Sequence, residues 1–203
     1  MYFVEVSVNQ DSPAVMLHDP YSLTSVLHKG QITKVLNAVN NFNFELLRTH
    51  PQYEANIVPY KSLVRVRDSE NKIIFRGRIV DFSYKMAGAG QMIKSFVAEC
   101  ELAYLLDSMQ EAEEIVSITI DEYLRRLLSN HNRRVQGDIT SKLIDFVRIN
   151  GGEIEPIEMG FNNSCICGPT NEVHHINYGS TFQNIKENIL NRNSGYIWLE
   201  YEE

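Results

Sequence analysis

Apolar and polar residues alternate with a period of two through the first half of the chain, the mark of strands with one face turned to a core. The first such run is YFVEVSV, starting at Tyr2. The clearest is SLVRVRDSENKIIFRGRIVDFSYK. Val64 and Val66 share one face there, Arg65 and Arg67 share the other, and DSEN supplies turn residues. The return strand sets Phe75, Gly77 and Ile79 against Arg76 and Arg78. After a GAG turn, another strand is predicted near 95–102. Segment 22–40, SLTSVLHKGQITKVLNAVN, fits either a short helix or a strand with a loop. Pro51 and Pro59 make QYEANIV between them irregular. Antiparallel strands with short turns predict a small barrel or sandwich.

The period changes near residue 108. SITIDEYLRRLLSNHN puts Ile120, Tyr123, Leu124, Leu127 and Leu128 at helical spacing, with Asp121 and Glu122 in the first turn, where the helix dipole favours acids. HNRRVQGDI reads as the exit loop. A second β segment is expected at about 144–178, turning at NGGE. TFQNIKENILNRN predicts a second helix with Phe182, Ile185, Ile189 and Leu190 on one face, stopped by Gly195, and YIWLEYEE reads as a strand. The fold class is therefore α+β. An N-terminal antiparallel β-barrel, 1–108, precedes a smaller α+β domain, 109–203, with two amphipathic helices and a hairpin. The last strand needs a neighbour, so a longer natural chain or another subunit is expected to complete it.

Charge sharpens this division. The net charge is −7. Residues 1–110 carry eleven Lys/Arg and eleven Asp/Glu, while 111–203 carry eight and fifteen, so the whole excess lies in the second part. An acidic balance opposes tight non-specific nucleic-acid binding, which neutralises phosphates. No apolar run is long enough to span a membrane, and MYFVEVSVNQ lacks the basic start of a signal peptide. Three cysteines do not suggest a disulfide framework.

Two groups of residues carry candidate chemistry. FNNSCICGPTNEVHHI places Cys165 and Cys167 two apart and His174 and His175 near its end, which would suit tetrahedral zinc if a hairpin closed over them. Cys-x-Cys departs from the usual zinc spacing, and adjacent histidines on a strand face opposite sides. A polar hairpin loop with small, partly buried cysteines is the favoured reading, so no metal and no cofactor is assigned. The second group is the arginine face: Arg65, Arg67, Arg76 and Arg78 on one hairpin. It reads as an interface for an acidic surface or phosphate, or as a solvated strand face. The acidic part of the same chain is one possible partner. No G-x-S-x-G, H-E-x-x-H, Walker or dinucleotide motif occurs. The serine and histidine of LSNHN, 128–132, are read as capping and loop residues.

RVRDSENKIIFRGRIVDF, FVAECELAYLLDS, ITIDEYLRRLLSNHN and YGSTFQNIKENILNRNSGYIWLEY follow one another in order. Together they resemble the N-terminal region of siphophage and prophage tail-tip hub proteins, the tail-associated lysozyme or prophage endopeptidase tail family, similar to the hub of contractile-tail baseplates. The resemblance implies a virion protein at the distal tail tip, made in the bacterial host cytoplasm. It implies a homotrimer whose barrels form a ring under the hexameric distal tail protein. The ring would lie on the path of the tape measure protein and of DNA, which passes without specific binding. No membrane insertion by this segment is implied. The family's ring uses a second barrel after the α+β region, and this chain stops before it, so a fragment or a short relative is expected. Hydrolase activity belongs to downstream domains and is not carried over. Two alternatives remain: a metal-stabilised adaptor or small metalloenzyme using Cys165, Cys167 and His174, and a cell-wall hydrolase scaffold lacking its catalytic domain.

Overall fold

A computed structural model of the chain describes residues 1–9, 11–116, 120–137, 146–151, 154–160, 173–176, 178–190 and 196–197. The chain divides between Glu101 and Leu102 into two compact units, with Leu36–Ala38 belonging to the second. The fold class is α+β with mostly strand, as the patterning predicts.

The first unit is one antiparallel sheet of β1 (Tyr2–Ser7), β2 (Val15–His18), β3 (Lys29–Thr33), β4 (Asn41–Leu47), β5 (Leu63–Asp68), β6 (Ile73–Met86) and β7 (Met92–Cys100). The order across the sheet is β2-β1-β5-β6-β7-β4-β3. β2 and β3 follow one another in the chain yet form opposite edges, so the sheet is a half-barrel. Segment 22–40 contains strand β3 and loops, not a helix. β3 pairs with β4 over five residues, from Lys29 opposite Glu45 to Thr33 opposite Asn41. Alternation puts Val4, Val6, Phe42, Phe44, Val64, Val66, Phe75 and Phe96 in the core. Phe44 stacks on Phe42 and Phe96 with ring centroids 5.0 and 4.8 Å apart. Each such burial contributes about 1.5–3 kcal/mol.

The second unit contains β8 (Met109–Gln110), β9 (Glu113–Val116), α1 (Ile120–Val135), β10 (Phe146–Gly151), β11 (Ile154–Gly160), β12 (Val173–Ile176), β13 (Gly179–Ser180), α2 (Thr181–Ile185) and β14 (Tyr196–Ile197). β10 lies between β11 and β14, β12 pairs with β9, and β13 pairs with β8. α1 buries Tyr123, Leu124, Leu127 and Leu128. It does not stop at residue 130. It runs through the predicted exit loop to Val135, because Leu124, Leu128, His131 and Val135 form one buried stripe. Gly137 then takes φ +85°, the left-handed conformation that ends helices. α2 starts on Ser180, whose hydroxyl accepts from the Gln183 N–H, and continues as a π turn over Lys186–Leu190. Phe182, Ile185, Ile189 and Leu190 are all buried. The predicted stop at Gly195 lies outside the described residues.

Candidate functional site

The β5–β6 hairpin positions all four arginines. Its turn is fixed by Asp68, whose Oδ1 accepts from the N–H groups of Glu70 at 2.9 Å and Lys72 at 3.0 Å, while Asn71 takes φ +68°. The register sets Arg65 directly opposite Arg76 and Leu63 opposite Arg78, and a bulge between Val66 and Arg67 sets Arg67 across from Ile73. On the other side of β5, strand β1 places Glu5 opposite Arg65. Gly77 makes the next pairing possible, since β7 approaches so closely that any Cβ there would lie 1.9 Å from the Glu99 carbonyl oxygen.

Like charges directly opposite one another destabilise a sheet, so the arginines require carboxylates. Glu101 grips Arg76 with two parallel bonds, Nε to Oε1 at 3.0 Å and Nη2 to Oε2 at 2.9 Å. Glu5 accepts from Arg67 at 2.5 Å, and Arg67 also donates to Asn71 Oδ1 at 2.8 Å. Arg78 is 4% exposed; it lies 4.0 Å from Glu99, and its guanidinium sits 5.4 Å from the centre of the Tyr60 ring. Arg65 differs. Among the described residues it has no ion pair, and its Nε, like that of Arg67, is enclosed without an acceptor. Four cations thus face three carboxylates. Among the described residues those carboxylates come from β1, from β7 and from the residue after it. Guanidinium stays protonated at all ordinary pH, so this face can bind anions but not shuttle protons.

The remaining candidates distribute differently. Cys165 and Cys167 lie outside the described residues. His174 and His175 fall in β12, in register with Ile115 and Glu114 of β9. Among the described residues no group of three or more His, Cys, Asp or Glu could hold a metal ion. Cys100 is buried, and its Sγ accepts the Asn40 N–H at 3.2 Å. A wider concavity of about 810 Å³ opens at the mouth of the half-barrel, floored by Val4, Phe42 and Val66 and rimmed by Lys29, Lys34 and Asp68. His18 and His28 also line it.

Sequence reasoning missed a polar cluster in the second unit. Ser108 Oγ lies 2.7 Å from His131 Nδ1 and 2.8 Å from Thr181 Oγ1. Gln110 donates to Thr181 at 2.6 Å and to the Leu127 carbonyl at 3.2 Å. Serine beside histidine is the geometry of an activated nucleophile. Here both are enclosed, Ser108 at 3% and His131 at 0% exposure, so the cluster satisfies buried polar groups instead of meeting a substrate. The signal was present: His131 follows Leu124 by seven residues and Leu128 by three, the spacing of the helix's buried face.

No protein-family model matches the sequence, and no curated protein is similar to it. Among solved structures, the tail protein from Neisseria meningitidis MC58 is similar over 63% of this chain at 15% identity, with a TM-score of 0.43. This chain spans about a third of that protein's length, 33%. Among the described residues no helix is long and apolar enough to cross a membrane.

Proposed function

We propose that the chain is a structural component of a phage tail tip of the baseplate-hub type, not an enzyme. It assembles as a homotrimer, and its half-barrels contribute to a ring beneath the hexameric distal tail protein. The ring surrounds the path of the tape measure protein and of DNA. The observation that supports this most is the charged face of the β5–β6 hairpin, built outward from the core on a sheet that keeps two open edges. A ring made of identical subunits joins two different faces of each, and such a face supplies one side of that contact. The four stretches that resemble tail-hub proteins also coincide with framework elements: the β5–β6 hairpin, the end of β7 with the turn Glu101–Leu106, helix α1, and helix α2.

Light scattering of the chain at high concentration, alone and with the distal tail protein from the same genome, tests the assembly. A trimer or a joint complex is expected. A chain that stays monomeric in both samples sinks the proposal. Zymography on peptidoglycan is expected to be blank for these 203 residues.

A further inference from the structure

We infer that the open edge of β3 accepts an added strand from a partner protein, one that alternates apolar and acidic residues. β3 ends the sheet, with β4 on one side and no strand on the other. Among the described residues no hydrogen bond reaches its outer edge, which therefore presents a row of free N–H and C=O groups. The strand pairs with β4 without a register shift from Lys29 to Thr33, and most of it is exposed. It holds no proline, and no charge after Lys29. The opposite edge is guarded. β2 shifts register against Val4 and Glu5, and its Leu17 carbonyl already accepts from His50 Nε2 at 2.8 Å. β6 also overhangs β5, but Asp81 and Lys85 interrupt that stretch.

The surroundings of β3 define the strand it takes. Gly30 lies opposite Phe44 and Ile32 opposite Phe42, so both face the core side of the sheet. There they border the concavity of about 810 Å³ that is floored by Val4, Phe42 and Val66. Apolar side chains at every second position of an added strand enter that space. Charge sets the alternate positions. Lys29 begins the strand and Lys34 follows its end, and neither forms an ion pair among the described residues. Lys29 has Glu45 across from it on β4 and an open flank on its other side. Among the described lining residues Asp68 is the only carboxylate, and its Oδ1 already holds the hairpin turn. Acidic residues beside the two lysines therefore form oppositely charged pairs across the added ladder. Nucleic acid has no alternating main-chain donors and acceptors to match such an edge. The site goes beyond the ring contact proposed above and does not rest on it.

The test titrates the intact chain with capped peptides and follows the amide ¹⁵N NMR signals and hydrogen exchange of Gly30, Gln31, Ile32 and Thr33. The probes are Thr-Glu-Val-Glu-Val-Glu-Thr, the same peptide with lysine for glutamate, and the same peptide with proline for valine. The acidic peptide is expected to move these signals saturably and to slow exchange of the outward amides. The lysine peptide reverses the cross-strand pairs and is expected to bind about tenfold more weakly, and the proline peptide is expected not to bind. Ile32→Lys puts a charge into the concavity and is expected to weaken binding of the acidic peptide about tenfold or more. Should Ile32→Lys fold poorly, the exposed Lys34→Glu is expected to weaken it about threefold. Signals indifferent to the acidic peptide overturn the inference. So do equal responses to the acidic and lysine peptides, a response centred on β2 or β6, or affinity undiminished in both variants. β3 amides already protected in an assembled chain assign the edge to a second copy and also overturn it. A monomeric chain that binds the acidic peptide at β3 defeats the ring assembly and leaves this site standing.

Discussion

Gly77 shows how one residue decides the geometry of the charged face. It lies between Arg76 and Arg78 and opposite Cys100, and an added Cβ would meet the Glu99 carbonyl oxygen at 1.9 Å and the Cys100 Cα at 2.9 Å. Backbone cannot yield as a flexible side chain can, so β6 and β7 would have to separate. Gly77→Ala is expected to lower stability by about 2–4 kcal/mol in urea unfolding. Gly88→Ala, where the new methyl group meets nothing, is expected to stay within about 0.5 kcal/mol. Equal effects at the two positions would remove the close approach as the cause. His18 carries a second prediction. Burial holds its imidazole below the ordinary value of 6.5, with Asp19 opposing and His50 assisting, and its Nδ1 accepts the Leu27 N–H at 3.2 Å. The unfolded chain therefore takes up the proton first. Stability is complete above the unfolded value and falls as pH drops through it toward the lower folded value. The urea midpoint is expected to decrease on acidification below about pH 6.5, and less steeply in His18→Gln. Identical slopes in the two proteins would rule out His18 as the source.

Among the elements, helix α1 joins a legible pattern to an illegible one. Its apolar stripe can be read from spacing alone, and Tyr123, Leu124, Leu127 and Leu128 are buried as that spacing requires. Its length was misjudged because HNRRVQ is polar, and polarity near a helix end resembles a loop. The stripe continues through a histidine bonded to Ser108, 23 residues away, and Ser108 in turn bonds Thr181, 73 residues away. No local pattern reports hydrogen bonds over such separations. The cluster is expected to hold α1 against β8 and α2. Ser108→Ala leaves Thr181 and His131 short of a partner and is expected to destabilise this unit by about 1–3 kcal/mol. Hydrogen exchange of α1 amides reads the loss; protection unchanged in the variant would show that the contact contributes nothing. The β5–β6 hairpin was legible for the opposite reason. Its alternation, turn and partner strand lie within about two dozen residues, so periodicity reports the strand pair, though not the burial of Arg78 or the bulge beside Arg67. Which of those arginines would be paired was not legible, because Glu5, Glu99 and Glu101 reach them from other strands.

At the scale of the whole molecule, charge placement bears on whether the arginine face can engage DNA. A basic hairpin in isolation would attract phosphate. In this chain Glu5, Glu99 and Glu101 neutralise three of the four arginines, and the acidic excess lies in 111–203. Non-specific DNA affinity requires several phosphates to be neutralised together and falls steeply with salt. One unpaired guanidinium beside a carboxylate does not meet that requirement. The chain is therefore expected to leave duplex DNA unretarded in a gel-shift assay at about 0.15 M salt, including at high protein concentration. Glu5→Gln with Glu101→Gln removes two carboxylates from beside Arg67 and Arg76 and is expected to introduce weak, salt-sensitive retardation. Retardation by the unmodified chain, lost as salt rises, would mean that the arginines engage phosphate despite their carboxylates. The hairpin would then be a nucleic-acid surface.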